Sequence, residues 1–297
     1  MSEDWNPASA DVIADQRAAY DEMRERCPVA RDGSGTWTLF RHADVVRAAL
    51  DPDTFSSQVS RHLNVPNGMD GKEHVRFRAL VNRYLAPDRV ARFEPRFRQI
   101  VSDLVGELPR DRTVEVVDEL GARYAVRAQS ALLGWPAGIE DTLLGWMEDN
   151  REATRSKLLT RTTAVAERFD RIIGSLIEAR RAAGEDAPDD VTTELMRDTV
   201  DGRPLEDEEI VSILRNWTAG DLGSIAACLG VVVHYLACDV RVQDRLRSAT
   251  VTAPELDAVI DEILRIDDPF LSNRRVTTTD VEIGDRTIPA GQRVVLN

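Results

Sequence analysis

Apolar residues recur at three- and four-residue intervals through most of the chain, the spacing of helices that bury one face. The pattern predicts helices over 11–26, 42–50, 72–85, 87–107, 118–133, 139–157, 160–183, 190–199 and 254–266. The first carries Val12, Ala19, Tyr20 and Met23 on one side and stops before Pro28. From Glu206 to Cys238 the spacing runs on as one helix, roughly 50 Å long at 1.5 Å per residue. Its acidic start, Glu206-Asp-Glu-Glu209, suits the positive end of a helix dipole. A helix of that length is expected to cross the centre of its domain. Short period-two runs at 36–40, 113–117, 275–279, 281–283, 286–288 and 293–296 read as strands, with turns at Gly33-Ser-Gly35, Gly284-Asp285 and Pro289-Ala-Gly291. Residues 55–70 show no period and contain Pro66, Asn67 and Gly68, so they read as a loop long enough to carry a function. The predicted class is mainly α with a small β region.

Composition narrows the functional classes. At 297 residues the chain can bury a sizeable core, and 38 basic against 52 acidic side chains give a net charge of −14. So acidic a chain is a poor general binder of nucleic acid or anionic lipid. Cys27, Cys228 and Cys238 contain no CxxC pair, and neither a zinc site nor a disulfide framework is expected. The N-terminus has no signal-peptide pattern, and the longest apolar stretch, 225–238, is interrupted by Gly230 and His234. These features predict a reduced, cytoplasmic protein with no membrane span.

Four constellations could carry chemistry. Glu262 and Arg265 stand one helical turn apart and can pair. The same spacing recurs at Glu73/Arg76, Glu107/Arg110, Glu148/Arg151, Glu152/Arg155, Glu178/Arg181 and Glu194/Arg197, so only its setting, ahead of Pro269, Arg275 and two hairpins, distinguishes it. His74 and Arg78 share a helix face and can donate to one anion. Ala219-Gly-Asp-Leu-Gly-Ser224 places two glycines inside the long helix, at about 1 kcal/mol each relative to alanine. That cost is tolerated where another helix or something large lies against the backbone. His234 lies in an apolar stretch and reads as a core histidine rather than a metal ligand.

In this order and spacing, these elements resemble the bacterial cytochrome P450 family, the haem-thiolate monooxygenases, from about Pro28 to Asn297. The strongest stretches are Glu262-Ile-Leu-Arg265 followed by 275–296, and Glu73-His-Val-Arg-Phe-Arg-Ala-Leu-Val81. The resemblance implies a helical prism, with 1–10 as a tail and 11–297 as one domain that lacks the family's C-terminal haem-ligand segment. It implies haem b (iron protoporphyrin IX), whose propionates His74, Arg78 and Arg275 would hold. Glu262 and Arg265 would form a buried structural ion pair. Ala219, Gly220 and Gly223 would let the central helix pass close over the haem. The loop 55–70 would roof the substrate, below helices spanning 139–183. The implied reaction inserts one oxygen atom into a small organic substrate, with electrons from a ferredoxin and its reductase.

Two departures stand out. Where the family has an acid followed by Thr, this chain has Leu222 and Gly223, leaving Asp221 and Ser224 as candidates to share proton delivery. The family's axial cysteine, in a Gly-rich loop, has no counterpart here. The leading expectation is therefore a truncated monooxygenase. The alternatives are a haem-free pseudoenzyme with a binding role on the same fold, and a plain helical interaction protein.

Overall fold

The computed structural model describes residues 4–248 and 250–297. The chain divides into two compact units, one of residues 1–79 and 270–297, the other of residues 80–269.

The first unit is built around a five-stranded sheet. Helices α1 (Ala10–Ala14) and α2 (Gln16–Arg26) precede strands β1 (Val29–Arg31) and β2 (Trp37–Leu39). The predicted single helix over 11–26 is split because the Asp15 side chain accepts from the Ala18 amide and starts a new helix there. Helix α3 (His42–Leu50) leads to β3 (Phe55–Ser56), and α4 (Gly71–Tyr84) follows the 57–70 loop. The returning segment adds β6 (Asn273–Thr277), β7 (Val281–Ile283), β8 (Arg286–Ile288) and β9 (Arg293–Leu296). The sheet order is β1-β2-β9-β6-β3, with β2 and β9 parallel and the other pairings antiparallel. Alternation holds as predicted: Val281 and Ile283 are buried while Glu282 is exposed. Gly284, at positive φ, turns the tight β7–β8 hairpin. Trp37, Leu39, Phe55, Ile283, Ile288, Val294 and Leu296 form the core. A second cluster joins Trp5, Met23, Ala30 and Phe40, with the Trp5 and Phe40 rings edge to face at 5.0 Å.

The second unit is helical. It contains α5 (Pro87–Glu107), α6 (Arg123–Leu133), α7 (Glu140–Ser156), α8 (Leu159–Ala183), α9 (Val191–Arg197), α10 (Asp207–Asn216), α11 (Asp221–Cys238), α12 (Val240–Arg247) and α13 (Ala253–Ile266). Strands β4 (Thr199–Val200) and β5 (Arg203–Pro204) close on Asp201-Gly202, both at positive φ. The predicted strand over 113–117 does not form. Val117 instead opens a wide helical turn, Val117–Ala122, that packs against α11. The fit is close: a Cβ on Gly121 would sit 2.7 Å from the Ala226 carbonyl oxygen, and one on Gly230 would meet the Val117 methyl at 2.6 Å. This tertiary contact overrides the β-branched alternation.

The predicted single helix over 206–238 is also corrected. It starts with a reciprocal Glu206–Glu209 cap, Glu209 being held further by a bidentate Arg203. The helix then breaks at 217–220, where Thr218 is fully buried and its hydroxyl donates to the Leu214 carbonyl. Taken together, 207–238 is long and apolar enough to cross a membrane by length and composition. Only 11% of its apolar window is buried, so it does not cross the centre of its domain as expected; within its unit α11 packs against the Val117–Ala122 turn, α6, α12 and α13.

A buried polar bracket ties α6, α8 and α9 together. Arg180, 6% exposed, pairs with Asp190, 11% exposed, at 2.7 Å and also donates to the Gly134 carbonyl at 2.8 Å. Asp190 in turn caps α9 through the Thr193 amide. Gly134 holds a left-handed φ of 72°, and a Cβ there would overlap the Asp190 side chain. We predict that Asp190→Ala, which strands the Arg180 charge, lowers unfolding free energy by about 3–5 kcal/mol in urea denaturation.

A second polar cluster governs acid sensitivity. Asp198 accepts from the Tyr84 hydroxyl at 2.8 Å, from Arg83 at 2.6 Å and from the Thr199 amide at 2.7 Å. Burial alone would raise its carboxyl, but these donors together hold it below the usual aspartate value. Tyr84 is pushed up, first by burial and then by its bond to Asp198. A depressed carboxyl stabilises the fold above its unfolded pKa, about 3.9, and loses that contribution as pH falls through the lower folded value. We predict that wild type loses more stability than Asp198→Asn between about pH 4 and pH 2, measured by denaturant unfolding at stepped pH.

Candidate functional site

In the first unit, the loop, the start of α4 and strand β6 line a cavity of about 700 Å³. Its wall includes Ser57, Met69, Asp70, Lys72, His74, Arg76 and Arg275. Arg275 is the informative residue. Its guanidinium is half-buried and its pKa is pulled down, first by desolvation and against the opposing charge of Asp70. Its hydrogen bonds go to the Asn273 side chain at 3.2 Å and the Arg274 carbonyl at 2.8 Å, and among the described residues it makes no ion pair with a carboxylate. A desolvated cation with spare donors is a receptor for an anion. His74 lines the same cavity, whereas Arg78 is exposed and not part of its wall, so the two do not converge as their spacing suggests.

In the second unit, the break before α11 shapes the stretch 219–224. Ala219 is partly buried, and Gly220 and Gly223 are exposed. A Cβ on Gly223 would meet nothing within 4 Å, whereas one on Gly220 would press within 2.9 Å of the Asn216 carbonyl oxygen. The glycines needed for close packing are Gly121 and Gly230, which the sequence reading did not single out. Leu222 is fully buried, so this position serves the core. The Ser224 hydroxyl donates to the carbonyls of Asp221 at 3.0 Å and Gly220 at 3.3 Å. Asp221 reaches solvent, yet protein atoms crowd its carboxyl, and that desolvation raises its pKa.

Glu262 and Arg265 do pair, in a bidentate contact at 2.7 and 2.8 Å. The expected burial is corrected: their side chains are 57% and 69% exposed. The buried residue of α13 is Ile263. Glu262 lines a groove of about 530 Å³ with Tyr235, Val242, Leu246 and Val259.

None of the three cysteines lines the anion cavity. Cys27 donates to the Val29 carbonyl at 3.6 Å and accepts from Arg286 at 3.7 Å. Cys228 is partly buried, and burial, reinforced by the charge of Asp268, raises its thiol pKa. Cys238 is exposed, 3.9 Å from the His234 Nε2. His234 is therefore exposed rather than a core residue.

Comparison with known proteins identifies the family. The cytochrome P450 family model matches residues 148–297. Cyclomarin C epoxidase CymV of Salinispora arenicola is 29% identical over 293 residues, covering 93% of this chain and 73% of that protein. Erythromycin C-12 hydroxylase of Saccharopolyspora erythraea is 28% identical over 305 residues, covering 94% and 72%. Among solved structures, ligand-free cytochrome P450 TbtJ1 superposes with a TM-score of 0.80 at 28% identity, covering 96% of this chain and 75% of that one. A P450 EryK mutant in complex with erythromycin B gives 0.82 at 27% identity, covering 95% and 74%. The chain belongs to the cytochrome P450 family. Its class of chemistry is haem-dependent monooxygenation, and its mostly helical fold with a small β region is that of the family.

The half-buried, unpaired Arg275 fits a haem propionate, and His74 is placed to assist. The thiolate side does not fit: none of the three thiols stands at that cavity. From the exposed Glu262–Arg265 pair we predict that Glu262→Ala leaves the urea denaturation midpoint of this chain unchanged.

Proposed function

We propose that the chain forms the substrate-facing and propionate-binding parts of a cytoplasmic bacterial monooxygenase acting on a bulky, largely apolar natural product. The unpaired Arg275 beside His74 carries the reading, because a half-buried guanidinium without a carboxylate needs an anionic partner. The named substrates of two relatives, cyclomarin C and erythromycin, support the size class. Residues 11–297 act as one catalytic domain in this reading, with a ferredoxin and its reductase supplying electrons.

Haem, when bound, supplies the oxidising chemistry. This chain's residues hold and orient. Arg275 and His74 take the propionates, with Arg78 as a further cation at the rim. Ala219, Gly220 and Gly223 keep bulk away from the haem-facing backbone. Asp221 is the proton-carrying group, since Leu222 belongs to the core and the Ser224 hydroxyl is held by its own helix. None of Cys27, Cys228 and Cys238 supplies the axial thiolate, which a Gly-rich loop of the family's type would have to provide. The second reading is a haem-free binding protein on the same fold.

Hemin titration separates the two. We predict that the chain binds hemin through Arg275, that Arg275→Gln weakens binding about tenfold through the lost charge-assisted bonds, and that the reduced CO adduct lacks a thiolate-type Soret band. A thiolate-type band would overturn the cysteine assignment, and failure to bind hemin at all would favour the haem-free reading. Arg275→Gln binding as tightly as wild type would overturn the role of Arg275.

A further inference from the structure

Asp70 is the single carboxylate among the residues that line the anion cavity, whose other charged or titratable members are Lys72, His74, Arg76 and Arg275. Both of its oxygens are engaged. Oδ2 accepts from the Ser56 hydroxyl at 2.5 Å, and Oδ1 from the Ser57 amide at 2.9 Å. Ser56 and Ser57 lead into the loop, and Asp70 ends it at the start of α4. One carboxylate thus clasps the two ends of a compact loop together, as in an Ω-loop whose ends lie close. The clasp also lies beside Arg275, because Ser56 pairs with Val276, its neighbour on β6. Asp70 is near enough for its charge to act on that guanidinium but makes no contact ion pair with it. A carboxylate spent on the clasp cannot at the same time neutralise the arginine.

We propose that Asp70 is a positioning residue with two alternative partners. Clasped to Ser56 and Ser57, it closes the 57–69 loop and leaves Arg275 free for a carboxylate ligand. Released, it pairs with Arg275 and fills the anion site itself. Loop closure and carboxylate binding are then linked, and each favours the other by the same factor. The proposal rests on Arg275 as the propionate receptor for its ligand, but not for the clasp.

Limited trypsin digestion read by mass spectrometry tests both halves. Arg61 is exposed in the loop and reports its opening, while Arg180 is buried and reports global unfolding. When reclosing outpaces cleavage, the cutting rate follows the open population. Asp70→Ala is expected to speed the Arg61 cut by at least about tenfold without ligand, from the loss of two bonds to a charged acceptor, with Arg180 cutting unchanged. Ser56→Ala is expected to give a smaller increase, because the Ser57 amide still holds Asp70. Hemin should slow the Arg61 cut in wild type and Ser56→Ala but not in Asp70→Ala, and hemin dimethyl ester, which has no carboxylate, should slow it in none. Wild-type Arg61 cutting in Asp70→Ala would overturn the clasp. Equal hemin protection of wild type and Asp70→Ala, or no hemin protection of wild type, would overturn the linkage. If Asp70→Ala also speeds Arg180 cutting, Ser56→Ala decides the clasp, and an unchanged Arg61 rate there overturns it. Hemin that leaves the Soret spectrum unchanged would sink the propionate reading while the ligand-free Arg61 rates still decide the clasp.

Discussion

The seat of α11 on the Val117–Ala122 turn is the constraint on which the second unit depends. Two glycines make it possible from opposite sides, Gly121 under the Ala226 backbone and Gly230 under Val117. A Cβ at either position would stand closer than van der Waals contact allows, and a close-packed interior absorbs such an overlap poorly. The same seat fixes the direction in which residues 219–224 point. Leu222 and Ala226 face inward and are buried, which turns Gly220 and Gly223 outward. The openness at Gly223 is thus a consequence of packing two turns further along the helix.

Around that seat the buried charges are partnered, whereas the buried hydroxyls of Ser130 and Thr193 have no hydrogen-bond partner among the described residues. Arg180 serves as pivot for three helices because its donors are shared between the Asp190 carboxylate and two main-chain carbonyls. The structural arginines Arg180 and Arg203 each have their carboxylates, Asp190 and Glu209, close at hand. Arg275, half-buried at the cavity of the first unit, has Asp70 within electrostatic reach but makes no contact ion pair among the described residues.

Most of this was legible in the sequence wherever local signals and tertiary packing agree. Helices 42–50 and 87–107 fall at the predicted limits, and strands 281–283, 286–288 and 293–296 follow their alternation and turn residues. The failures are places where long-range contact decides. Val117 reads as strand because it is β-branched, but its side chain is needed against Gly230 on a helix more than a hundred residues away. The break at 217–220 comes from a buried Thr218 bonding back to Leu214, a contact that periodicity cannot reveal. Of the site, His74 and Arg275 were legible through the family resemblance. Asp70 was not, since an acid beside a basic cluster has no signal until the loop brings Ser56 and Ser57 to it. The Glu262–Arg265 pair shows the reverse: spacing identified the partners, but burial belongs to whatever lies outside the helix face, which spacing does not encode.

The departures in α11 follow from the same packing logic. An acid at position 222 would be driven into a fully buried apolar place and would carry an unpaired charge there. Leucine is the residue that the helix seat demands. A hydroxyl at 224 is close to main-chain carbonyls of its own helix, and those bonds hold it. That leaves Asp221, at the first turn, as the side chain in the stretch that both reaches solvent and can hold a proton. Its carboxyl is raised by desolvation.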